Sequence, residues 1–147
     1  MVRTATIEDL TVLVGMGRDF HEYAAAQNNL NCNISDFSNY IKFMIDSDFT
    51  TILVDEKITG SIAGIISPWF MDFSQKIVTE QWWWVDPSYR DTKVAFELLE
   101  ALTNWGKQSG ASKLIMVSIN SKKEKAVKRY YGRKGFRYME TNFIKDI

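Results

Sequence analysis

Phosphate binding is the first chemistry that the residue pattern indicates. An apolar strand ends at Val85, and the Asp86-Pro87 pair after it breaks the strand, because proline has no amide hydrogen to donate to a sheet. A helix is predicted to begin near Asp91 or Thr92. A helix start presents unpaired backbone N–H groups and the positive end of the helix dipole, which together bind phosphates. Two cations, Arg90 and Lys93, flank this point and indicate that an anion belongs there.

Glu80 is the second residue that could do chemistry. It lies in a strand rich in aromatic and β-branched residues, predicted over Gln75–Val85, on a face that we expect it to share with Val78, Trp82 and Trp84. Tryptophans around a carboxylate lower the local polarity and raise its pKa, so that it can accept a proton near neutral pH. The alternative is a solvated charge on the edge of the sheet.

In order and spacing, these residues resemble the GNAT family of N-acetyltransferases. Val85-Asp86-Pro87 resembles the end of the family's fourth strand, and Arg90 and Ala95 match the ends of its Arg/Gln-x-x-Gly-x-Gly/Ala loop. Lys93 and Asp91 stand where the family often has glycine, so the loop resembles a divergent, phage-like version. Tyr131-Gly132-Arg133-Lys134-Gly135-Phe136 resembles the family's terminal Tyr-x-x-x-Gly-Phe.

The resemblance implies acetyl-CoA as co-substrate and gives each residue an expected role. The backbone of Asp91, Thr92, Lys93, Val94 and Ala95, helped by Arg90 and Lys93, would hold the pyrophosphate. The backbone of Trp84 and Val85 would bind the pantetheine arm, and Asn120 would either bind it too or cap the last helix. Tyr131 would protonate the departing thiolate, with Tyr130 as the alternative if the register shifts by one. Glu80 would be the base, and His21, Glu22 and Tyr23 would lie near the acceptor.

The predicted elements give an α+β fold, an α/β/α sandwich. A first strand at residues 3–5 and a helix capped by Thr6 and Asp9 are followed by a second helix at 34–47, a hairpin, the Trp-rich strand, a helix at 94–109, a strand at 113–119 and a basic helix from Ser121. Residues 136–147 alternate enough to predict one or two terminal strands. We therefore expect a mixed, mostly antiparallel sheet of six or seven strands with helices on both faces. The resemblance adds that strands four and five splay apart.

The composition argues against several other classes of protein and of site. A chain of 147 residues predicts one domain over 1–147, and equal numbers of basic and acidic residues, 18 each, argue against nucleic-acid binding. One histidine and one cysteine, Cys32, cannot complete a metal site or a disulfide. The sequence has no apolar run long enough for a membrane span and no signal-peptide pattern, so we expect a cytoplasmic protein without membrane partners. We also allow for a homodimer.

The sequence thus predicts an enzyme that transfers acetyl from acetyl-CoA to an amine acceptor, which the residues do not identify. The alternative is a non-catalytic acyl-CoA-binding or interaction module that retains the fold. Both would bind coenzyme A, and only the enzyme would release its thiol when an amine is present.

Overall fold

A computed structural model describes residues 1–119 and 123–147. The strands are β1 (Val2–Thr4), β2 (Thr50–Asp55), β3 (Gly60–Trp69), β4 (Asp72–Val85) and β5 (Ala111–Ile115). The helices are α1 (Leu10–Phe20), α2 (Ile34–Asp46), α3 (Val94–Gln108) and α4 (Glu124–Arg133). A π-helical turn, His21–Ala25, continues α1, and a short 3-10 helix, Pro87–Tyr89, precedes α3. None of the helices in the described ranges is both long and apolar enough to cross a bilayer.

The five strands form one mixed sheet in the order β1-β2-β3-β4-β5. The first four are antiparallel neighbours, and β5 pairs parallel to β4 after the crossover through α3. The expected six or seven strands are too many for the described residues, because 136–147 contain no strand. Apolar alternation forms a strand only where one face is buried, and Tyr138, Phe143 and Ile144 remain 75%, 94% and 60% exposed.

Two hydrophobic cores lie on opposite faces of the sheet, which confirms the α/β/α layering. One core joins α1 and α2 to the sheet and contains Leu13, Ile41, Met44, Trp82 and Trp84. The other packs α3 against the opposite face and contains Ile62, Val78, Leu98 and Leu102. Tyr130 of α4 packs at the edge of this second core.

A β-bulge in β4 changes which way Glu80 faces. Ala63 of β3 pairs with Trp82, but the next residue, Gly64, pairs with Glu80, so Gln81 is an extra residue in β4. A side chain at Gly64 would point at Leu102 of α3, so Glu80 lies on the α3 face, while Trp82 and Trp84 lie in the α1/α2 core. The prediction that Glu80 shares a face with these two tryptophans is therefore wrong, because the bulge breaks strict alternation.

Strands β4 and β5 pair only over a short stretch and then part, as expected. Lys76–Thr79 pair with Ala111–Ile115, and β5 ends there. β4 runs on through Glu80 to Val85. The last six residues of β4 thus face an opening at its β5 side.

Candidate active site

Glu80 and Tyr131 both bond to the backbone of one residue, Val117, just beyond the end of β5. The backbone N–H of Val117 donates to Glu80 Oε2 at 2.8 Å. The Tyr131 hydroxyl donates to the carbonyl oxygen of Val117, also at 2.8 Å. The two predicted catalytic residues come from a strand and a helix about fifty positions apart in the sequence, and Val117 brings them to one point in the gap between β4 and β5.

The surroundings of this pair shift both pKa values upward. Loss of contact with water raises the pKa of Glu80 from 4.5 to about 7, and the hydrogen bond from Val117 opposes that shift. Burial also raises the pKa of Tyr131, and the nearby Glu80 carboxylate and Tyr130 raise it further. Near neutral pH, Glu80 can therefore accept a proton, while Tyr131 keeps its proton and can donate it.

The structure distinguishes Tyr131 from its neighbour Tyr130. The Tyr130 hydroxyl is buried and has no hydrogen-bond partner in the described part of the chain. Its ring packs against Trp83, with the centroids 5.8 Å apart, and lies beneath the Lys134 ammonium. Of these two tyrosines, only Tyr131 bonds to the backbone of Val117, and it stays the predicted acid.

The predicted phosphate loop, residues 86–95, forms without backbone strain. Asp86 accepts the N–H of Ser88 at 2.8 Å and caps the 3-10 helix Pro87–Tyr89. The Thr92 hydroxyl donates to the carbonyl of Tyr89 at 2.6 Å and accepts the N–H of Val94 at 3.3 Å. The positive-φ residues of the described ranges lie outside this loop. Asp91 and Lys93 can therefore replace the family's glycines because the backbone here does not need the left-handed region.

Helix α3 begins at Val94, as predicted for the helix at 94–109 and two or three residues after the start near Asp91 or Thr92 that the loop pattern predicts. Lys93 occupies the N-cap position, and Asp91, which is exposed, does not cap the helix. The first bond of the helix runs from the N–H of Glu97 to the carbonyl of Lys93 at 2.9 Å. The N–H groups of Val94, Ala95 and Phe96 consequently have no partner within the helix.

The two cations of the loop make different contacts. The Lys93 ammonium is 80% exposed and lies 2.8 Å from the carboxylate of Glu97, one turn along α3. Arg90 Nε donates to the carbonyl of Val85 at 3.0 Å, and its guanidinium lies over the rings of Tyr23 and Trp84. Lys93 thus lies next to the first N–H groups of α3, but its ammonium is paired with Glu97. The Arg90 guanidinium is turned towards the end of α1.

The predicted pantetheine ligands fall in two places. Trp84 and Val85 are buried at the end of β4, beside the gap. Asn120 lies outside the described residues, as does Ser121, and the role of Asn120 stays a prediction. No sequence pattern marks Val117, because its role comes from its backbone N–H and carbonyl groups. The described residues contain no cluster of three or more His, Cys, Asp or Glu side chains that could hold a metal ion.

The chain matches the model of the acetyltransferase (GNAT) family over residues 18–136. It belongs to this family. Among solved structures, an aminoglycoside acetyltransferase from an uncultured soil metagenomic sample is 16% identical with a TM-score of 0.75, covering 100% of this chain and 97% of that one. An acetyltransferase from Clostridium acetobutylicum, crystallised with acetyl-CoA, is 17% identical with a TM-score of 0.74, covering 99% and 95%. A Trypanosoma brucei acetyltransferase is 21% identical with a TM-score of 0.72, covering 100% and 99%. No curated protein matches the chain.

As a member of this family, the chain is an acetyl-CoA-dependent acetyltransferase, and its residues fit that co-substrate. The gap between β4 and β5 has two buried polar atoms in its surroundings, Trp83 Nε1 and Ser118 Oγ, for which the described residues supply no hydrogen-bond partner. Buried polar groups in folded proteins usually have partners, so unpaired ones beside a gap fit a polar ligand such as an amide-bearing arm. The loop after β4 leads to the start of α3, whose first N–H groups fit a phosphate.

Proposed function

We propose that this acetyltransferase acts by direct attack of an amine, with Glu80 as the base and Tyr131 as the acid. The observation that carries the proposal is the convergence of Glu80 and Tyr131 on the backbone of Val117, one on its N–H and the other on its carbonyl. Acetyl-CoA supplies a thioester whose carbonyl carbon an uncharged amine can attack. The protein then has to remove a proton from the amine and give one to the sulfur.

Glu80 is suited to the first task. Its Oε2 is held by Val117, while the described residues place no hydrogen bond on the second carboxylate oxygen. That oxygen is available to the amine, directly or through a water molecule. A pKa of about 7 means that roughly half of the Glu80 side chains are deprotonated at neutral pH.

Tyr131 is suited to the second task. Its raised pKa keeps the hydroxyl protonated, and the bond to the Val117 carbonyl holds the ring in one orientation. To protonate the sulfur, the hydroxyl must exchange the Val117 carbonyl for the departing thiolate. Stacking against Trp83, with centroids 6.1 Å apart, and contact with Phe136 keep the ring in place during this exchange.

We assign acetyl-CoA binding to the end of β4 and the loop after it. The backbone N–H groups of Ala95 and Phe96 would bind the pyrophosphate, and that of Val94 would join them once it leaves the Thr92 hydroxyl. The Thr92 hydroxyl lies beside them, and Lys93 would join once it leaves Glu97. The backbone of Trp84 and Val85 would bind the pantetheine arm, and Asn120 stays a predicted ligand of it.

Two contacts favour the non-catalytic module as a second candidate. The bond from Val117 to Glu80 also bridges β4 and the segment after β5, so it could be structural alone. The pairing of Lys93 with Glu97 removes a cation from the phosphate site. A module of this kind would bind acetyl-CoA and leave it intact.

Two measurements test the proposal. In a thermal-shift titration, acetyl-CoA at one hundred times its dissociation constant should stabilise the protein by about 2.7 kcal/mol. Thiol release should then be followed with a panel of amines: polyamines, aminoglycosides, lysine and peptides with free N-termini. Stabilisation together with amine-dependent thiol release supports the enzyme. Stabilisation without release by any amine supports the module, and no stabilisation contradicts both.

Three further expectations stay predictions. The chain is proposed to act as a single acyltransferase domain over residues 1–147. A cytoplasmic location follows from the exposed, unpaired Cys32, which suits a reducing compartment. A homodimer would be detected by light scattering of the purified protein.

A further inference from the structure

We infer that the Arg90 side chain is a positioning residue, which fixes the acetyl-CoA loop against the end of α1, and not a phosphate ligand. The inference concerns the same site as the proposed function and rests on it for its catalytic consequence. The structural claim is that Arg90 anchors residues 86–95 to the π-helical turn His21–Ala25, and it can be tested without any ligand.

The contacts of Arg90 come from two separate parts of the chain. Its guanidinium carbon lies 4.8 Å from the ring centre of Tyr23 and 4.7 Å from that of Trp84. The two rings are themselves in edge contact, with centroids 5.7 Å apart. The guanidinium therefore lies almost equally far from the two rings and fills the corner between them.

A hydrogen bond sets the orientation of the guanidinium in this corner. Nε donates to the carbonyl of Val85, at the end of β4, at 3.0 Å. Arginine suits such a site because its planar group can stack on rings and donate in its plane at the same time, whereas a lysine ammonium is a point charge on a flexible stem. Arg90 thus joins the loop, β4 and the π-helical turn through three contacts.

The position of this anchor matters for a reaction between two substrates. Trp84 also lines a groove of about 320 Å³ whose other walls include Met16 and Asp19 of α1. Phe20, at the end of α1, contacts Trp84 edge-on at 6.3 Å. The loop assigned to acetyl-CoA and the α1 side of the site are therefore held in one relative position, and displacements of about 1 Å between reacting groups can cost about 100-fold in rate.

The Arg90 contacts fall on a π-helical turn, a segment that they can stabilise. π-helical turns are rare and less regular than α-helix, and they occur mostly as single turns at functional sites. Tyr23 lies within this turn and is 45% exposed, so few contacts other than Arg90 and Trp84 can fix its ring. Without Arg90, we expect the turn to open more often.

Hydrogen-exchange mass spectrometry of the whole chain tests this directly. In the ligand-free protein, Arg90→Lys keeps the positive charge and removes the stacked plane. Amides of residues 21–25 should then exchange about 3- to 10-fold faster than in the wild type, as expected when partly exposed cation–π contacts are lost. Tyr23→Leu should give the same increase, and Arg18→Lys, on the exposed side of α1, is the matched control that should give none.

Acetyl-CoA then separates the two roles of Arg90. If Arg90 is a positioning residue, Arg90→Lys and Arg90→Gln bind acetyl-CoA within about 3-fold of the wild type, because the backbone of residues 94–96 binds the phosphate. Acetyl-CoA should protect residues 91–97 in all variants, but residues 21–25 only where Arg90 is present. With an accepted amine, Arg90→Lys should lower kcat and leave the KM for acetyl-CoA nearly unchanged.

Either of two results overturns the inference. One is unchanged exchange of residues 21–25 in ligand-free Arg90→Lys. The other is a loss of acetyl-CoA affinity of more than about 10-fold in Arg90→Gln with affinity kept in Arg90→Lys, the pattern of a charged phosphate ligand. Failure of the proposed function has a different signature: acetyl-CoA would protect no residues of the wild type, or it would bind without amine-dependent thiol release. In both cases the ligand-free comparison would still decide the role of Arg90.

Discussion

Replacing Glu80 by glutamine separates the shape of this side chain from its charge. A glutamine side-chain oxygen can accept the N–H of Val117 as Glu80 Oε2 does at 2.8 Å, so the bridge from β4 to Val117 should survive. A carboxamide, however, neither takes up nor releases a proton in the physiological range. Any change in pH dependence between the two proteins therefore comes from the ionisation of Glu80.

The direction of the effect on stability follows from the raised pKa. Burial raises the pKa of Glu80 from 4.5 to about 7, so the folded protein holds a proton that the unfolded chain has already lost between these two values. The free energy of unfolding therefore falls as the pH rises from about 4.5 to about 7. The full shift corresponds to about 3 kcal/mol, and because the side chain is still partly exposed we expect about 1–2 kcal/mol.

Urea denaturation at pH 4.5, 6 and 8 measures this contribution. Glu80→Gln should equal the wild type at pH 4.5 and exceed it by about 1–2 kcal/mol at pH 8. Glu56→Gln, which removes a carboxylate from the exposed turn after β2, controls for the loss of one negative charge. Parallel stability curves for the wild type and Glu80→Gln between pH 4.5 and 8 would refute the burial argument for this carboxylate.

The same variant tests the role of Glu80 as base. With a pKa of about 7, the deprotonated fraction of Glu80 is about 10% at pH 6, half at pH 7 and about 90% at pH 8. The ratio of wild-type to Glu80→Gln activity cancels the titration of the amine itself. This ratio should rise with those fractions and reach about 100-fold or more at pH 8. A ratio that does not change with pH would show that another group accepts the proton.

Five further substitutions test separate parts of the site and its support. Tyr131→Phe should lower thiol release by about 100-fold with acetyl-CoA affinity nearly unchanged, whereas Tyr130→Phe should stay near the wild type; the reverse order would assign the acid to Tyr130. Gly17→Ala should destabilise the protein by about 1–3 kcal/mol in urea denaturation, because its added Cβ would overlap the ring of Phe37. Gly15→Ala should stabilise it by about 0.5–1 kcal/mol, since the added carbon meets open space in the same helix. Lys93→Gln should weaken acetyl-CoA binding, measured by calorimetry, by about 5-fold, and unchanged affinity would show that Lys93 does not bind the phosphate.

The parts of the site that depend on local chemistry could be predicted from the sequence. A proline after a strand, a helix start beside cations and a Thr6–Asp9 capping box each leave a pattern within a few residues, and the N–H of Thr6 does donate to the Asp9 carboxylate at 2.8 Å. The meeting of Glu80 and Tyr131 was predictable only through the family resemblance. No spacing along the chain reveals that a strand and a helix this far apart reach the backbone of the same residue.

The parts that depend on tertiary contacts were not predictable in this way. Residues 136–147 alternate like a strand, but a strand also needs an edge to pair with and a face to bury, and neither requirement can be read from alternation. The position of Arg90 in the sequence predicts a phosphate ligand, but its contacts are those of an anchor. The sequence does not show this, because Tyr23 lies far away along the chain.

One extra residue in β4 determines which way Glu80 faces, and therefore whether Glu80 belongs to the site. Strict alternation would place Glu80 on the face of Trp82 and Trp84, in the α1/α2 core, away from Tyr131. Gln81 is the extra residue that turns Glu80 to the other face, and its side chain accepts the Tyr40 hydroxyl of α2 at 2.9 Å. The sequence does hold a signal for this bulge, since three polar residues in succession, Thr79 to Gln81, interrupt the apolar stretch from Ile77 to Val85. The polar residues in this buried part of β4 therefore mark both the bulge and Glu80, which the bulge turns towards the gap between β4 and β5.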